Sequence, residues 1–276
     1  MWHTLLYQPL VNGLILFYKI FFNNLGLAII ALTLVIRLLL IPLTTPSLKA
    51  AQKMKELAPQ LEKLKRKYKN DKQAFARAQL ELFRQHGANP AAGCLPQIIQ
   101  LIVLIALFQA FQQVLRANGQ ETITRLNEVL YPFLRLSQGT VINLKFLYLD
   151  LSKPDLVRLP FSVFRLPALP GVFLFLAALT QFLTSKMMSP AVSAARQQAE
   201  KTPKKEDDMA TMMQQQMLYM FPLMTLLIGF TFPSGLVLYW LVFSLFQMGQ
   251  QYKTGGLGGL EPWIKKLKIE NYKAKF

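Results

Sequence analysis

Residues 25–43 read LGLAIIALTLVIRLLLIPL, nineteen nearly unbroken apolar residues with a single arginine, Arg37, inside them. A run of that length predicts a helix that crosses a membrane, since about 20 apolar residues span the hydrocarbon. An arginine inside such a helix costs about 2.5–3.5 kcal/mol on insertion scales. Leu43 lies roughly 9 Å further along at 1.5 Å per residue, within reach of a snorkelling side chain. The aqueous end is expected nearer Ser47 or Lys49, past Pro42 and Pro46, which sets Arg37 about 15 Å deep. Two readings follow: a structural or snorkelling arginine, or a charge facing a wet cavity within the membrane.

Of the 276 residues 53% are hydrophobic, and they fall in several long runs. That composition predicts an all-α integral membrane protein with several spans. The formal charge of +17 calls for an anionic partner, with nucleic acid, anionic lipid and the ribosome as candidates. One cysteine, Cys94, and two separated histidines, His3 and His86, offer neither a disulfide framework nor metal-ligand spacing. No phosphate-binding Gly loop, nucleophile set or intramembrane carboxylate pair is visible. We therefore expect no enzyme, no cofactor and no metal.

Outward from the arginine helix, the chain divides as follows. Residues 1–24 carry Trp2, Tyr7, Tyr18 and several Phe around a short apolar core interrupted by Asn12, Gly13 and Lys19. This predicts an interfacial amphipathic helix, with an uncleaved signal-anchor as the alternative. No cleavage pattern follows it, so a removed signal peptide is not expected. Asn23-Asn24 should break the chain before a first span over 25–45. Residues 46–94 change character, with eleven Lys and Arg against four acids. Met54, Leu57, Leu61, Leu64 and Tyr68 form one helical stripe, and Phe75, Ala76, Gln79, Leu80 and Phe83 a second. Joined at Lys69-Asn70-Asp71 and ended at His86-Gly87, they predict an antiparallel helical hairpin, its first arm kinked or weakened by Pro59. Lys63, Lys65, Arg66 and Lys67 are candidates for docking lipid headgroups or RNA. The bland alternative is solubility.

A second span is predicted over 95–115, with Gln97 and Gln100 on one face, followed by a mixed loop over 116–166 in which Asn143–Leu151 lies along the interface. The third span covers 167–187, with Thr180, Gln181, Thr184 and Ser185 on one face. A polar loop fills 188–216. The fourth and fifth spans, 217–232 and 235–252, flank a Pro233-Ser234 turn. Their apolar stretches are short, and local thinning of the bilayer would accommodate them. In the fifth, Trp240, Ser244, Gln247 and Gln251 make a polar stripe. The basic tail, 253–276, carries Lys265, Lys266 and Lys268. With five spans, one side of the membrane collects 22 of the Lys and Arg and the other 8. The positive-inside rule then sets the N-terminus outside and the hairpin and tail in the cytoplasm.

Arg37, Gln97, Gln100, Thr180, Gln181, Thr184, Ser244 and Gln247 thus fall mostly towards the cytoplasmic half. Singly, each polar side chain reads as glue between helices. Together, with an arginine and no acid in any span, they predict a hydrophilic cavity open to the cytosol whose counter-charge arrives with a substrate. Eight of the eleven methionines cluster between Met187 and Met224, a flexible surface suited to varied apolar partners or simply to packing and lipid contact. A small-solute channel or transporter is the alternative class; an intramembrane carboxylate and an outer opening would mark it.

Several stretches taken in order resemble the YidC-type membrane protein insertases. They are GLAIIALTLVIRLLLIPLT, ELAPQLEKLKRKYKND, HGANPAAGCLPQ, NLKFLYLDLSKPD and FPSGLVLYWLVFSLFQMGQQY. The resemblance implies five helices around a hydrophilic groove, open to cytosol and lipid and closed outside. It implies that Arg37 attracts acidic residues in translocated segments of nascent membrane proteins, in a bacterial cell membrane. The hairpin and tail would receive the ribosome, a targeting receptor or the Sec translocon, beside anionic lipids. Several features depart from the family. The large outer domain of Gram-negative members is not seen, and Cys94 does not follow a lipoprotein leader. Leu156–Pro170 is longer and richer in proline, and Thr184-Ser185 stand where more glutamine is expected.

Overall fold

The computed structural model describes residues 2–69, 71–88, 95–115, 120–158, 168–188 and 209–266, with Lys55, Glu62, Lys72, 95–97, Gln120, Arg158 and 209–217 described by backbone alone. The predicted loop at 89–94, residues 189–208 of the loop predicted over 188–216, the side chains of Gln97 and of Met209, Met212, Met213 and Met217, and the tail beyond 266 with Lys268 lie outside that description; residues 209–216 of that loop are helical. The α-helices of ten or more described residues are α1 (Gln8–Ile20), α2 (Leu25–Glu56), α3 (Ala58–Lys67), α4 (Lys72–Gln85), α5 (Leu95–Leu115), α6 (Gln120–Val129), α7 (Val172–Met188), α8 (Met209–Gly229) and α9 (Ser234–Gly255). By length and composition α2, over Leu25–Met54, and α5, over Ile98–Leu115, are able to cross a membrane; Val172–Met188 and Leu218–Gly229 are apolar but shorter.

The contacts divide the chain into two compact units, the first comprising Met1–Leu40, Ile98–Gln181 and Phe221–Phe246. Its core is built from apolar faces of α1, α2, α5, α6 and α9, with Leu14, Ile29, Leu107, Leu126 and Tyr239 among the fully enclosed side chains. α1 is bound into this core. Val11, Leu14, Ile15 and Tyr18 are buried. Asn12, which interrupts the apolar pattern in the sequence, is buried and bonded at both ends of its amide. Its Nδ2 donates to Gln8 O (2.8 Å) and Val129 O (3.0 Å), and its Oδ1 accepts from the Tyr131 amide (2.6 Å). At the expected break, Phe22 and Asn23 turn through positive φ, and the Asn24 side chain caps α2 by accepting from the Leu27 amide.

The loop region after α5 is more ordered than its mixed composition suggests. It holds α6, a 3-10 turn at Pro132–Leu134 and two small antiparallel hairpins. β1 (Lys145–Phe146) pairs with β2 (Leu149–Asp150), and β3 (Leu156–Arg158) with β4 (Ala168–Pro170). The Asn143–Leu151 stretch is therefore a tight hairpin, turning at Leu147 with φ of 51°. It folds against helix ends. The Phe146 ring occupies the space a Cβ on Gly26 would need. The first amides of α9 donate to loop carbonyls, Ser234 N to Lys153 O (2.7 Å) and Gly235 N to Leu151 O (3.1 Å). Asp150 accepts from Ser152 and faces Lys153, and both hold its carboxyl below the usual range.

α7 is preceded by Gly171, which has no side chain to cap the helix, and Asp155 takes over that task. Its Oδ2 accepts from the Leu174 amide (2.9 Å), its Oδ1 from the Tyr148 hydroxyl (3.0 Å), and its carbonyl from the Gly171 amide (2.8 Å). The carboxylate also sits at the dipole-positive end of the helix. A Cβ on Gly171 would collide with this carboxyl group.

The second unit comprises Ile41–Gln97, Phe182–Met220 and Gln247–Phe276. Here α2 runs on through Pro42 and Pro46 to Glu56, eleven residues past the predicted end of the span. The prolines stand four apart, so the carbonyls they leave unbonded lie on one face of a helix that otherwise continues. Gln250 donates to Thr44 Oγ1 (2.9 Å) and Thr45 Oγ1 (3.3 Å), tying α9 to α2. The helix pauses at Leu57, and Pro59 falls in the first turn of α3, where no amide donor is required. Pro59 thus starts the hairpin arm instead of kinking it. Asp71 caps α4 through the Gln73 and Ala74 amides, and Gly87 closes it at φ of 57°. Leu57, Phe83 and Ala88 form the hairpin's small core with Met54 and Leu61. α8 and α9 have 21 and 22 residues, longer than the apolar stretches read from the sequence, because each helix continues into polar residues.

Asp155→Ala should lower stability by about 1–2 kcal/mol, the usual cost of a lost helix cap. Gly171→Ala should cost a similar amount alone but much less in the Asp155→Ala background, where the space is vacant. Thermal unfolding of the four proteins in detergent measures this coupling, and strictly additive losses would refute the arrangement.

Candidate functional site

Of the residues singled out by sequence, Arg37, Gln100 and Thr180 contact α9 in the first unit, and Gln181 contacts α8. Arg37, from α2, is 6% exposed. Its guanidinium carbon lies 3.4 Å from the centroid of the Phe243 ring and 6.0 Å from that of Phe246, both on α9. Arg37 Nε and Nη2 are the buried side-chain nitrogens that, among the described residues, have no hydrogen-bond partner. A charged donor left so in a dry site would cost several kcal/mol, and a desolvated cation–π contact returns about 2.

The neighbouring polar residues behave differently. Gln100, on α5, donates to the Tyr239 hydroxyl on α9 (2.6 Å). Thr180 Oγ1 on α7 and Ser244 Oγ on α9 lie 2.5 Å apart, and both also bond to carbonyls of their own helix. Thr225 on α8 donates to Gln181 Oε1 on α7 (2.5 Å). Each bond joins two helices, so Gln100, Thr180, Gln181 and Ser244 fasten the bundle. Trp240 is packed among apolar side chains and stacks on Phe232, its centroid 6.2 Å away. α9 thus touches α5 through Tyr239, α2 through Phe243 and α7 through Ser244.

Sequence reasoning passed over Tyr239, Phe243 and Thr225. The first two had a legible signal: Tyr239, Phe243 and Phe246 recur at spacings of 4 and 3, an aromatic stripe beside the polar one. Thr225 is one hydroxyl in an apolar helix, with no pattern to mark it.

In the second unit, Thr184 is buried and Gln247 half-buried. Of the basic docking candidates, Lys63, Arg66 and Lys67 are exposed and Lys65 is half-buried on α3, with Lys67 Nζ over the Tyr68 ring (5.3 Å). Lys265 and Lys266 are exposed in the helical stretch 261–266, where Lys265 pairs with Glu261 at 2.8 Å and holds that carboxyl below its usual range. Trp263 anchors this stretch, with its ring 6.3 Å from Phe182 and Lys186 Nζ 4.9 Å from it.

Residues 16–255 match the family described as "60Kd inner membrane protein". The chain is 35% identical over 231 residues to the membrane protein insertase YidC of Fusobacterium nucleatum, covering 83% of this chain and 85% of that one. It is 31% identical over 255 residues to the membrane protein insertase YidC of Pelobacter propionicus, and 32% over 251 to that of Syntrophobacter fumaroxidans. Those alignments cover 91% of this chain but 38% of each of those longer proteins. The family match therefore takes in all of α2 through α9, Arg37 and its aromatic neighbours included, and the chain belongs to the 60Kd inner membrane protein family, that of the YidC-type insertases.

Proposed function

We propose that this protein is a membrane protein insertase that carries short hydrophilic flanks of nascent chains into and across a bacterial membrane and releases their hydrophobic segments to lipid. The observation that carries this reading is the buried Arg37 edge, Nε and Nη2, which has no hydrogen-bond partner among the described residues. A guanidinium in that condition seeks a carboxylate or phosphate, which it binds through two parallel hydrogen bonds. In a membrane the arriving group is the acidic residue of a translocated flank.

In this scheme five helices, α2, α5, α7, α8 and α9, cross the membrane, with the N-terminus outside and the C-terminus in the cytoplasm. Arg37, Gln100, Thr180, Gln181, Trp240 and Ser244 line the cytosol-open groove. Gln97, Thr184 and Gln247 are assigned to it on their sequence register alone. A nascent segment arrives at the hairpin and basic tail, which dock the ribosome, a targeting receptor or the Sec translocon, and anionic lipid. Its flank enters the groove, where amides and hydroxyls replace part of its water and a thinned bilayer shortens the barrier. The apolar segment then passes into lipid. Burial of its surface, at ~25 cal/mol per Å², drives the step without nucleotide.

Arg37→Ala should reduce insertion of substrates with acidic translocated flanks by tenfold or more, on the order of one lost charge-assisted bond pair, and affect neutral flanks much less. Proteoliposome insertion assays with matched substrates measure this, and equal loss for both classes would sink the reading. Crosslinking of a ribosome-bound nascent chain to positions 37, 100, 181 and 244 tests the path itself.

Reversal of Lys63, Lys65, Arg66 and Lys67 to Glu should abolish co-sedimentation with ribosome–nascent chain complexes at low salt and leave helical content unchanged. Since the contact is electrostatic, rising salt should weaken the unaltered protein's binding as well. Binding that is insensitive to both changes would remove the hairpin from the docking surface.

A further inference from the structure

The unpartnered Arg37 is held in place by an aromatic ring, and the manner of holding decides which of its donors remain. At 3.4 Å from the Phe243 centroid, the guanidinium carbon has room only for a face-on stack. Stacking uses the π face of the cation and leaves all its N–H groups, which point outward in its plane. The two orphaned atoms, Nε and Nη2, lie on the same edge of the guanidinium. Together they form the side-on pair that accepts both oxygens of one carboxylate. No described acidic side chain occupies that edge.

We propose that Phe243 is the positioning residue that presents the Nε/Nη2 edge of Arg37 as a seat for a single substrate carboxylate. This rests on the insertase reading above and adds to it the ring, the edge and the binding mode. A carboxylate partner supplied by the protein would occupy the same donors and close the seat. An aromatic face stabilises the charge without competing for them. Phe243 is half-buried in the first unit's core, and Phe246, at 6.0 Å, adds a second, weaker face. The adjoining Tyr239 hydroxyl is engaged by Gln100 at 2.6 Å.

Graded fluorination of the Phe243 ring tests this. It drains the negative face of the ring while keeping its shape, so a purely structural role is blind to it. Mono-, di- and trifluorophenylalanine placed at 243 in the full-length protein should lower insertion of an acidic-flank substrate stepwise, approaching tenfold, the scale of a desolvated cation–π contact. Insertion of the neutral-flank substrate should stay constant. Phe243→Trp should retain acidic-flank insertion and Phe243→Leu should lose it. A flat response to fluorination, or equal loss for both substrates, overturns the role of Phe243. Arg37→Ala, run alongside, separates the two claims: if it discriminates between flanks while fluorination does not, the insertase reading stands and the ring seat falls. If Arg37→Ala itself fails to discriminate, the carboxylate reading of Arg37 falls first.

Discussion

A cation 6% exposed, with no carboxylate beside it among the described residues, has to be held by something other than an ion pair. That constraint organises the first unit. Burial removes water from Arg37, and the aromatic face of Phe243 replaces part of the lost solvation. An acid on any neighbouring helix would neutralise the charge more completely. It would also form a buried pair whose donors were all engaged, at a desolvation cost of several kcal/mol per ion. The ring holds the charge in place and keeps its hydrogen-bonding edge unused.

For this to work, α9 must keep its rotation and height against α2, since a cation–π contact needs the cation over the face of the ring and within about 6 Å of its centroid. The restraints on α9 are spread along it. Its first amides are taken by carbonyls at residues 151 and 153, and the Ser234 hydroxyl donates to the Asp150 carbonyl at 2.8 Å. One turn on, Tyr239 is fully enclosed and bonded to Gln100, and the next turn is fixed through Ser244 to Thr180. The small hairpins after α6 therefore do more than fill a loop. Through β2 and the Asp155 cap they set the starting points of α9 and of α7, the two helices that carry Ser244 and Thr180.

Much of this was legible in the sequence, because apolar periodicity and breakers speak to local structure. The arginine helix, the Asn23-Asn24 break and the two amphipathic helices α3 and α4, with the Asp71 and Gly87 ends of α4, follow from spacing. The parts that did not follow depend on long-range partners. Asn12 looked like a flaw in α1, although it is a clamp onto residues 129 and 131, more than a hundred positions away. The first span reads as 25–45, but α2 continues past Pro42 and Pro46 to Glu56, and the carbonyls freed by the prolines leave the rest of the helix ladder intact. Residues 143–151 read as an apolar strip, and the need for Gly26 to accept the Phe146 ring is invisible until both are placed. At the site, the polar stripe on α9 drew attention to Ser244 and away from the aromatic stripe next to it.

The hydroxyls and amides near Arg37 mostly bond one another across helices, and this shapes what the site can discriminate. Where donors and acceptors are already paired, a passing segment gains little by its particular pattern of polar groups, because each new bond replaces an existing one. Among the described residues the buried donors left over are the Nε and Nη2 of Arg37, and in the proposed scheme that edge would distinguish a carboxylate from a neutral group and read little else. Selectivity by charge with indifference to sequence is the property an insertase needs if it is to handle many unrelated chains. On the proposed insertase reading, the same arrangement that fastens the helices would also narrow the chemistry of recognition to Arg37.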